Sequence, residues 1–377
     1  MRVLFVLEYF PPHVGGVEIL FQNLAEGLVS KGHEVDVVTQ RLKGTKPYEE
    51  NNGVRIHRVW VPPFMSRYWF SFLSVPKAVK LAKEADLIQT TTYNAALPAR
   101  IAAMLCKKKS VIGVMEVLGG FWGKTELGPV IGKFHEMFEK MIISMKFDHF
   151  VAISESTRND MVKAGVDASK ITVIYPGVDY AFFKREKYAS FRQEIRSRHS
   201  LGNDFVYISY GRPGITKGIE YAVRAVPIIA KEIPSSKLML ILSRSPKSGY
   251  EKIIALIKEL RCENDVILVE SRTRNELPKY IVASDCAVVP SLTEGFGYTA
   301  AEAVALEVPV VASNAKSLPE VVSGKFVLVN PADPAAIAGG VTAVFKKRYQ
   351  KSEIRRFTTA ENVNNHEKLY KKLLGVR

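Results

Sequence analysis

Short apolar runs alternate with helix-periodic segments along nearly the whole chain. Residues 2–7, apolar from Val3 to Leu7, read as a buried strand, a loop over 8–16 follows, and residues 17–30 carry helical spacing. Lys31-Gly32-His33 ends that helix, and residues 34–39 read as the next strand. The strand–helix–strand rhythm continues through 87–90, 110–114 and 149–153. It restarts at 205–210, 237–242, 265–269 and 308–313, with helical stretches at 219–232, 249–261 and 276–283 between them. Strands that are apolar throughout and alternate with helices predict parallel sheets covered on both faces. One restart predicts two doubly wound, Rossmann-like α/β domains, with strand C-termini facing a central cleft where ligands bind. The charged stretch 180–205 is the boundary region, so the expected domains are 1–179 and 180–355, with a C-terminal helix at about 356–377 packing back on the first.

A length of 377 residues suits two domains, and 47% apolar residues suffice for their cores. The net charge of +15 raises the question of nucleic acid. Residues 1–180 balance at +4 and 206–345 at +1, so the excess sits in 181–205 and 346–377. Both segments read as exposed helices with solvated basic faces, and no aromatic-rich basic RNA-binding motif appears, so nucleic acid is not an expected partner. Weak attraction to an anionic membrane surface is compatible with the charge. The apolar run at 3–7 is too short for a signal-peptide core or a membrane span. Cys106, Cys262 and Cys286 lie in or beside apolar stretches without paired spacing, which fits buried thiols in a reducing compartment. The expected location is cytoplasmic, at most peripheral at the inner membrane surface.

Chemistry concentrates in Glu294-Gly-Phe-Gly-Tyr-Thr-Ala-Ala-Glu302. An apolar strand over 285–292 precedes it, so Glu294 falls in a tight loop and Glu302 in the second turn of a helix. If most of the interval is helical, the carboxylates stand about 12 Å apart. That is too far for a glycosidase-like acid/base pair and suits gripping two ends of one extended ligand. Backbone N–H groups from Gly295 through Phe296 and Gly297 to Tyr298 open the helix, where an anion is favoured. The corresponding turn after the strand at 205–210 is Gly211-Arg212-Pro-Gly-Ile-Thr-Lys217-Gly218. Arg212 and Lys217 together offer a fork and a point charge, a set suited to a diphosphate. The turn is not a P-loop, and the first βα turn, with Gly15-Gly16, lacks the dinucleotide fingerprint but lets a ligand approach the backbone closely.

No Asp-x-Asp pair is placed to hold Mg²⁺ beside a diphosphate, and Glu34-Val-Asp36 reads as structural. The seven histidines show no ligand spacing, so neither a metal site nor a cofactor is expected. No G-x-S-x-G elbow supports hydrolase chemistry.

The ordered set resembles one family. Gly15-Gly-Val-Glu18, Val151-Ala-Ile-Ser-Glu155, Ile174-Tyr-Pro-Gly-Val-Asp179, Gly211-Arg-x₄-Lys-Gly218, Glu294-x₇-Glu302 and Leu318-Pro-Glu-Val-Val322 together resemble the retaining glycosyltransferases of family 4, with the GT-B fold, over nearly the full length. The resemblance implies transfer of a hexose from a nucleotide diphosphate sugar, UDP-hexose first and GDP-mannose second, to an unknown sugar, glycolipid or lipid-linked acceptor, without a metal. It implies that Arg212 and Lys217 bind the diphosphate, that Glu302 accepts from the ribose hydroxyls, and that Glu294 contacts the sugar. It also implies that residues 295–298 hold sugar and phosphate, with Gly211 in the donor loop and Gly15 and Gly16 closing from the other domain.

Two departures stand out. Val114-Met115-Glu116 places a thioether where many members have a histidine near the reacting sugar, and Glu116 or Lys124 could compensate. Leu242-Ser-Arg-Ser-Pro and Val269-Glu-Ser-Arg-Thr replace glycine-bearing strand ends, leaving Ser243, Arg272 and Thr273 as candidates for the base. Met115 motivates a different class, a nucleotide-sugar-binding protein with weak or no catalysis, and a UDP-N-acetylhexosamine epimerase is a third reading. The aromatic segments at 61–73 and 121–143 suit core packing or cleft closure, or else contact with lipid.

Overall fold

The computed structural model describes residues 1–13 and 15–376. It divides into two compact units. The first comprises Met1–Gly120, Lys133–Gly177 and the chain from Phe357 onward; the second comprises Phe121–Gly132 and Val178–Arg356.

In the first unit the strands are β1 (Arg2–Val6), β2 (Glu34–Gln40), β3 (Tyr48–Asn51), β4 (Val54–Val59), β5 (Leu87–Thr91), β6 (Lys109–Val114), β7 (His149–Ala152) and β8 (Ile171–Val173). The helices of this part of the chain are α1 (Gly16–Ser30), α2 (Ser66–Leu73), α3 (Val75–Ala82), α4 (Ala96–Cys106), α5 (Gly128–Ile143) and α6 (Glu155–Lys163). The sheet order is β3-β4-β2-β1-β5-β6-β7-β8, parallel except for the β3–β4 hairpin. Alternation along β1 sorts the two faces. Val3 and Phe5 join the core beneath α1, and Leu4 and Val6 join the core beneath α2, α3 and α4. Ile112 and Val114 of β6 pack against Ile142 and Ile143 of α5.

The second unit has β9 (Phe205–Gly211), β10 (Ser236–Leu242), β11 (Val266–Glu270), β12 (Cys286–Val289), β13 (Val310–Ser313), β14 (Lys325–Val329) and β15 (Gln350–Lys351), in the order β11-β10-β9-β12-β13-β14-β15. All pairings are parallel except β14 with β15. Its helices are α7 (Arg185–Tyr188), α8 (Phe191–Arg198), α9 (Ile219–Glu232), α10 (Lys247–Glu259), α11 (Leu277–Ala283), α12 (Tyr298–Ala305), α13 (Leu318–Val321) and α14 (Pro334–Phe345). The last helix, α15 (Thr359–Leu374), starts at a Thr358–Glu361 capping box and buries Val363, Leu369 and Tyr370 in the core shared with α1.

Several expectations need correction. The strand after α11 is only Cys286–Val289, so the chain leaves the sheet earlier than the apolar run suggests. The basic segment at 181–205 is more than a solvated face: Arg196 is buried, and Arg192 and Arg196 both pair with Asp285. The aromatic segment at 61–73 is largely outside the core, with Phe64, Tyr68, Trp69 and Phe72 exposed and only Val61 and Phe70 buried among its large side chains. Asp36 is indeed structural. Burial pushes its carboxyl up, but hydrogen bonds from His57, Arg55 and Arg2 outweigh that and hold it well below the usual carboxylate range. The three cysteines are free, with Cys262 and Cys286 buried and Cys106 half-buried. No described helix is long and apolar enough to cross a membrane.

Candidate functional site

Two loops of the second unit are locked together. β9 ends at Gly211, whose φ of +141° favours glycine. The chain then makes one 3₁₀ turn, Ile215–Lys217, and enters α9 through Gly218 at φ +60°. A Cβ on Gly218 would sit 2.1 Å from the carbonyl oxygen of Pro290, so close approach of the loop after β12 requires glycine here. Thr216 O accepts from Leu292 N at 2.8 Å and fixes the pair.

This contact brings Lys217 and Glu294 together, with Nζ and Oε1 2.6 Å apart. Ser291 donates to the same oxygen at 2.9 Å. The Ser317 hydroxyl lies 2.9 Å from the carbonyl oxygens of Glu294 and of Phe296, shaping the turn from below. Gly297 ends the turn at φ +95°, and a Cβ there would meet Leu318 at 2.8 Å. Gly295 and Phe296 are buried within the turn, and Tyr298 opens α12, whose N-terminal end favours negative charge. The buried Tyr298 hydroxyl has no hydrogen-bond partner among the described residues.

Glu302 lies one helical turn beyond Tyr298. Its Oε2 is 3.2 Å from the Tyr210 hydroxyl, which also lies 2.8 Å from Thr299 O. Burial pushes the Glu302 carboxyl up, and the Tyr210 hydrogen bond with the Arg274 and Lys217 charges only partly reverses this, leaving it at about 7. Helix covers only the later half of the Glu294–Glu302 interval, so the 12 Å figure, which assumed mostly helix, does not carry over. Arg212 is exposed and has no hydrogen-bond or ion-pair partner among the described residues, a guanidinium open to an anion.

The candidates for the base separate. Ser243 N donates to Gly211 O at 3.3 Å, so this serine borders the first loop. Thr273 instead hydrogen-bonds Glu276 at 2.9 Å in the turn before α11. Arg272 lies over the Tyr280 ring at 5.3 Å, with its Nε buried and without a hydrogen-bond partner among the described residues. Arg274, not singled out from the sequence, is the cation whose charge acts on both Glu302 and Tyr298. It sits over the Phe182 ring at 5.0 Å and 3.9 Å from Asp179, the end of the Pro-Gly-Val-Asp motif. Tyr210 and Glu126 were also missed. Glu126 Oε1 accepts from Ile215 N at 2.9 Å, laying a carboxylate on the first loop.

In the first unit, Gly15 caps α1 in an extended conformation, and a Cβ there would be 2.3 Å from Glu18 Oε2. Gly16 is the first helical residue. Glu18 Oε1 in turn meets His13 Nδ1 at 2.8 Å, and His13 stacks on Tyr9. Met115 packs against the core beneath α1, with its terminal methyl near Gly113. Glu116 is half-buried and acts electrostatically on Tyr93. Lys124, grouped with the second unit, is exposed and lies 6.0 Å from the Phe121 ring centroid. The described residues contain no group of three His, Cys, Asp or Glu side chains able to hold a metal ion.

Residues 14–182 match Glycosyltransferase Family 4, and residues 191–361 match Glycosyl transferases group 1. The chain is 29% identical over 364 residues to an uncharacterized glycosyltransferase of Methanocaldococcus jannaschii, covering 91% of this chain and 89% of that protein. It is 26% identical over 329 residues to a GDP-mannose-dependent alpha-(1-6)-phosphatidylinositol monomannoside mannosyltransferase of Mycobacterium tuberculosis, covering 85% and 82%. Among solved structures, Anabaena HepE in complex with UDP-glucose superposes with a TM-score of 0.75 at 20% identity, covering 99% and 100%. Sucrose-phosphate synthase from Thermosynechococcus elongatus gives 0.78 at 21%, covering 99% of each chain. These superpositions establish the GT-B fold. With the two family matches lying in order along two parallel-sheet units, the chain belongs to the group 1 glycosyltransferases of the family 4 type.

Proposed function

We propose that this glycosyltransferase is a retaining hexosyltransferase that uses a nucleoside diphosphate sugar and needs no metal. The observation that carries the reading is the locked pair of loops, which sets Lys217 against Glu294 and leaves Arg212 open. Arg212 and Lys217 neutralise the diphosphate and the charge that grows as it departs. Glu294 and the turn through Gly295, Phe296, Gly297 and Tyr298 hold the sugar and the adjoining phosphate. Glu302, held by Tyr210, accepts from the ribose hydroxyls. The bond from the anomeric carbon to the phosphate oxygen breaks, and the acceptor oxygen bonds that carbon on the same face. The acceptor proton passes to the departing phosphate oxygen, so the step needs no separate protein base. UDP-hexose is the first candidate donor, and GDP-mannose is the second, supported by the mannosyltransferase relative.

The test follows nucleotide release from UDP-hexoses and GDP-mannose, with EDTA present and acceptors offered in turn. Release from one donor, retention of configuration in the product, and a fall of about 10²–10³ in kcat for Arg212→Ala and Glu294→Ala support the reading. A second reading, a donor-binding protein without turnover, draws on Met115, which cannot hydrogen-bond a sugar as a histidine would. Donor-dependent thermal stabilisation without release under any acceptor would establish that reading instead. Epimerisation of the intact donor would overturn transfer altogether.

A further inference from the structure

On one face of the first sheet lie α2, α3, α4 and the part of α5 from Lys133 onward, packed through the cores that contain Leu4, Ile88 and Ile112. Their outward surface is apolar to an extent seen nowhere else among the described residues. Tyr68, Trp69, Phe72 and Leu73 are exposed on α2, and Met104 and Leu105 on α4. On α5 the exposed Phe134, Met137 and Met141 follow one another at helical spacing. The opposite face, carrying α1 and α15, exposes no large apolar side chain within either helix. The two regions share an anchor: Ser71 of α2 donates to Asn94 O, and the Tyr93 hydroxyl donates to Glu139 of α5. Both helices are therefore fixed to consecutive residues of one loop.

The charge on this face has a single sign over long stretches. No carboxylate occurs from Asn51 to Lys83 or from Leu87 to Met115. Within those spans Lys80, Lys83 and Lys107 are exposed, as are Arg67, paired with Glu8, and Lys109, paired with Asp148, while on α5 Lys133 and Lys140 both pair with Glu136 between them. Protein–protein interfaces are depleted in lysine, whereas lysine beside tryptophan, tyrosine and phenylalanine suits a headgroup region, where the rings reach the acyl boundary and ammonium groups meet phosphate. We propose that this face of the first unit docks the protein on an anionic phospholipid surface without crossing it. The inference does not rest on the donor reading, and a lipid-facing first unit would put the enzyme where lipid-borne acceptors lie.

The experiment is sedimentation of the full chain with vesicles of phosphatidylcholine alone, or with about one third phosphatidylglycerol, at low and high salt. The expected result is binding at least tenfold stronger to the anionic vesicles, weakened by salt. Trp69→Ser with Phe72→Ser should lower it about tenfold or more at an unchanged unfolding temperature. Lys80→Gln with Lys83→Gln should remove most of the preference for anionic lipid. Absence of vesicle binding, or binding indifferent to the aromatic pair, would overturn the proposal. So would a dimer in sedimentation velocity that the aromatic pair dissociates, since a second copy would then cover the face.

Discussion

Because burial raises the Glu302 carboxyl to about 7, the folded protein holds that proton more tightly than the unfolded chain does. Between the ordinary carboxylate range and 7 the native state binds more protons, so this group's contribution to stability falls as pH rises. Ribose hydroxyls donate best to the ionised form, so donor binding should release a proton near neutrality. The diester diphosphate of a nucleotide sugar does not titrate in this window. Donor affinity should therefore rise roughly tenfold from pH 6 to pH 8, as measured by calorimetry, and Glu302→Gln should bind more weakly with a flat profile. A steep profile in Glu302→Gln would remove Glu302 as its source. Glu294 was legible in the sequence because a charged residue in a glycine-rich turn after an apolar strand has few packing roles, and Glu302 because it follows in the helix that this turn opens. Tyr210 was not, since a tyrosine ending an apolar strand reads as core. Arg274 was hidden beside Arg272, with no spacing to tell which of the two turns toward Glu302.

At the scale of elements, the meeting of the loops after β9 and β12 depends on Gly218. Alanine there adds left-handed strain of about 1–3 kcal/mol to a Cβ clash with backbone that no rotamer relieves. Gly218→Ala should lower stability by at least that amount in urea unfolding and weaken donor binding further, because Lys217 and Glu294 move apart. Gly339 of α14 provides the contrast, since it has open space around it and ordinary helical geometry. Alanine there should be neutral or stabilise by up to about 1 kcal/mol. Equal loss of donor binding in both variants would separate the site from the loop contact. The buried strands declared themselves through unbroken apolar runs such as Leu238 to Leu242. The edge strand Tyr48–Asn51 did not, because a short polar edge strand carries no core pattern. Helix α2 was obscured for the opposite reason: Phe70 enters the core, but the other large apolar residues of the helix face outward.

For the whole molecule, the restarting strand rhythm anticipates two sheets, but the order in which chain segments join the units is a tertiary matter. α15 packs against α1, with Val363 close to Gly27 and Tyr370 fully buried. A chain ending at Arg356 should lose the first unit's unfolding transition and keep the second's, read by calorimetry and limited proteolysis; joint loss of both would show that the units do not unfold independently. The segment Phe121–Gly132 behaves in the opposite sense, following strands of the first sheet in sequence yet grouping with the second unit. Through Glu126 it rests a carboxylate on the amide of Ile215, beside the cations proposed to receive a diphosphate. The amide of Ile215 thus already carries an anion of the chain's own making. Where a donor phosphate takes that amide, loading becomes an exchange of tenants, and on the nucleotide's departure the Glu126 carboxylate returns to hold the loop in shape.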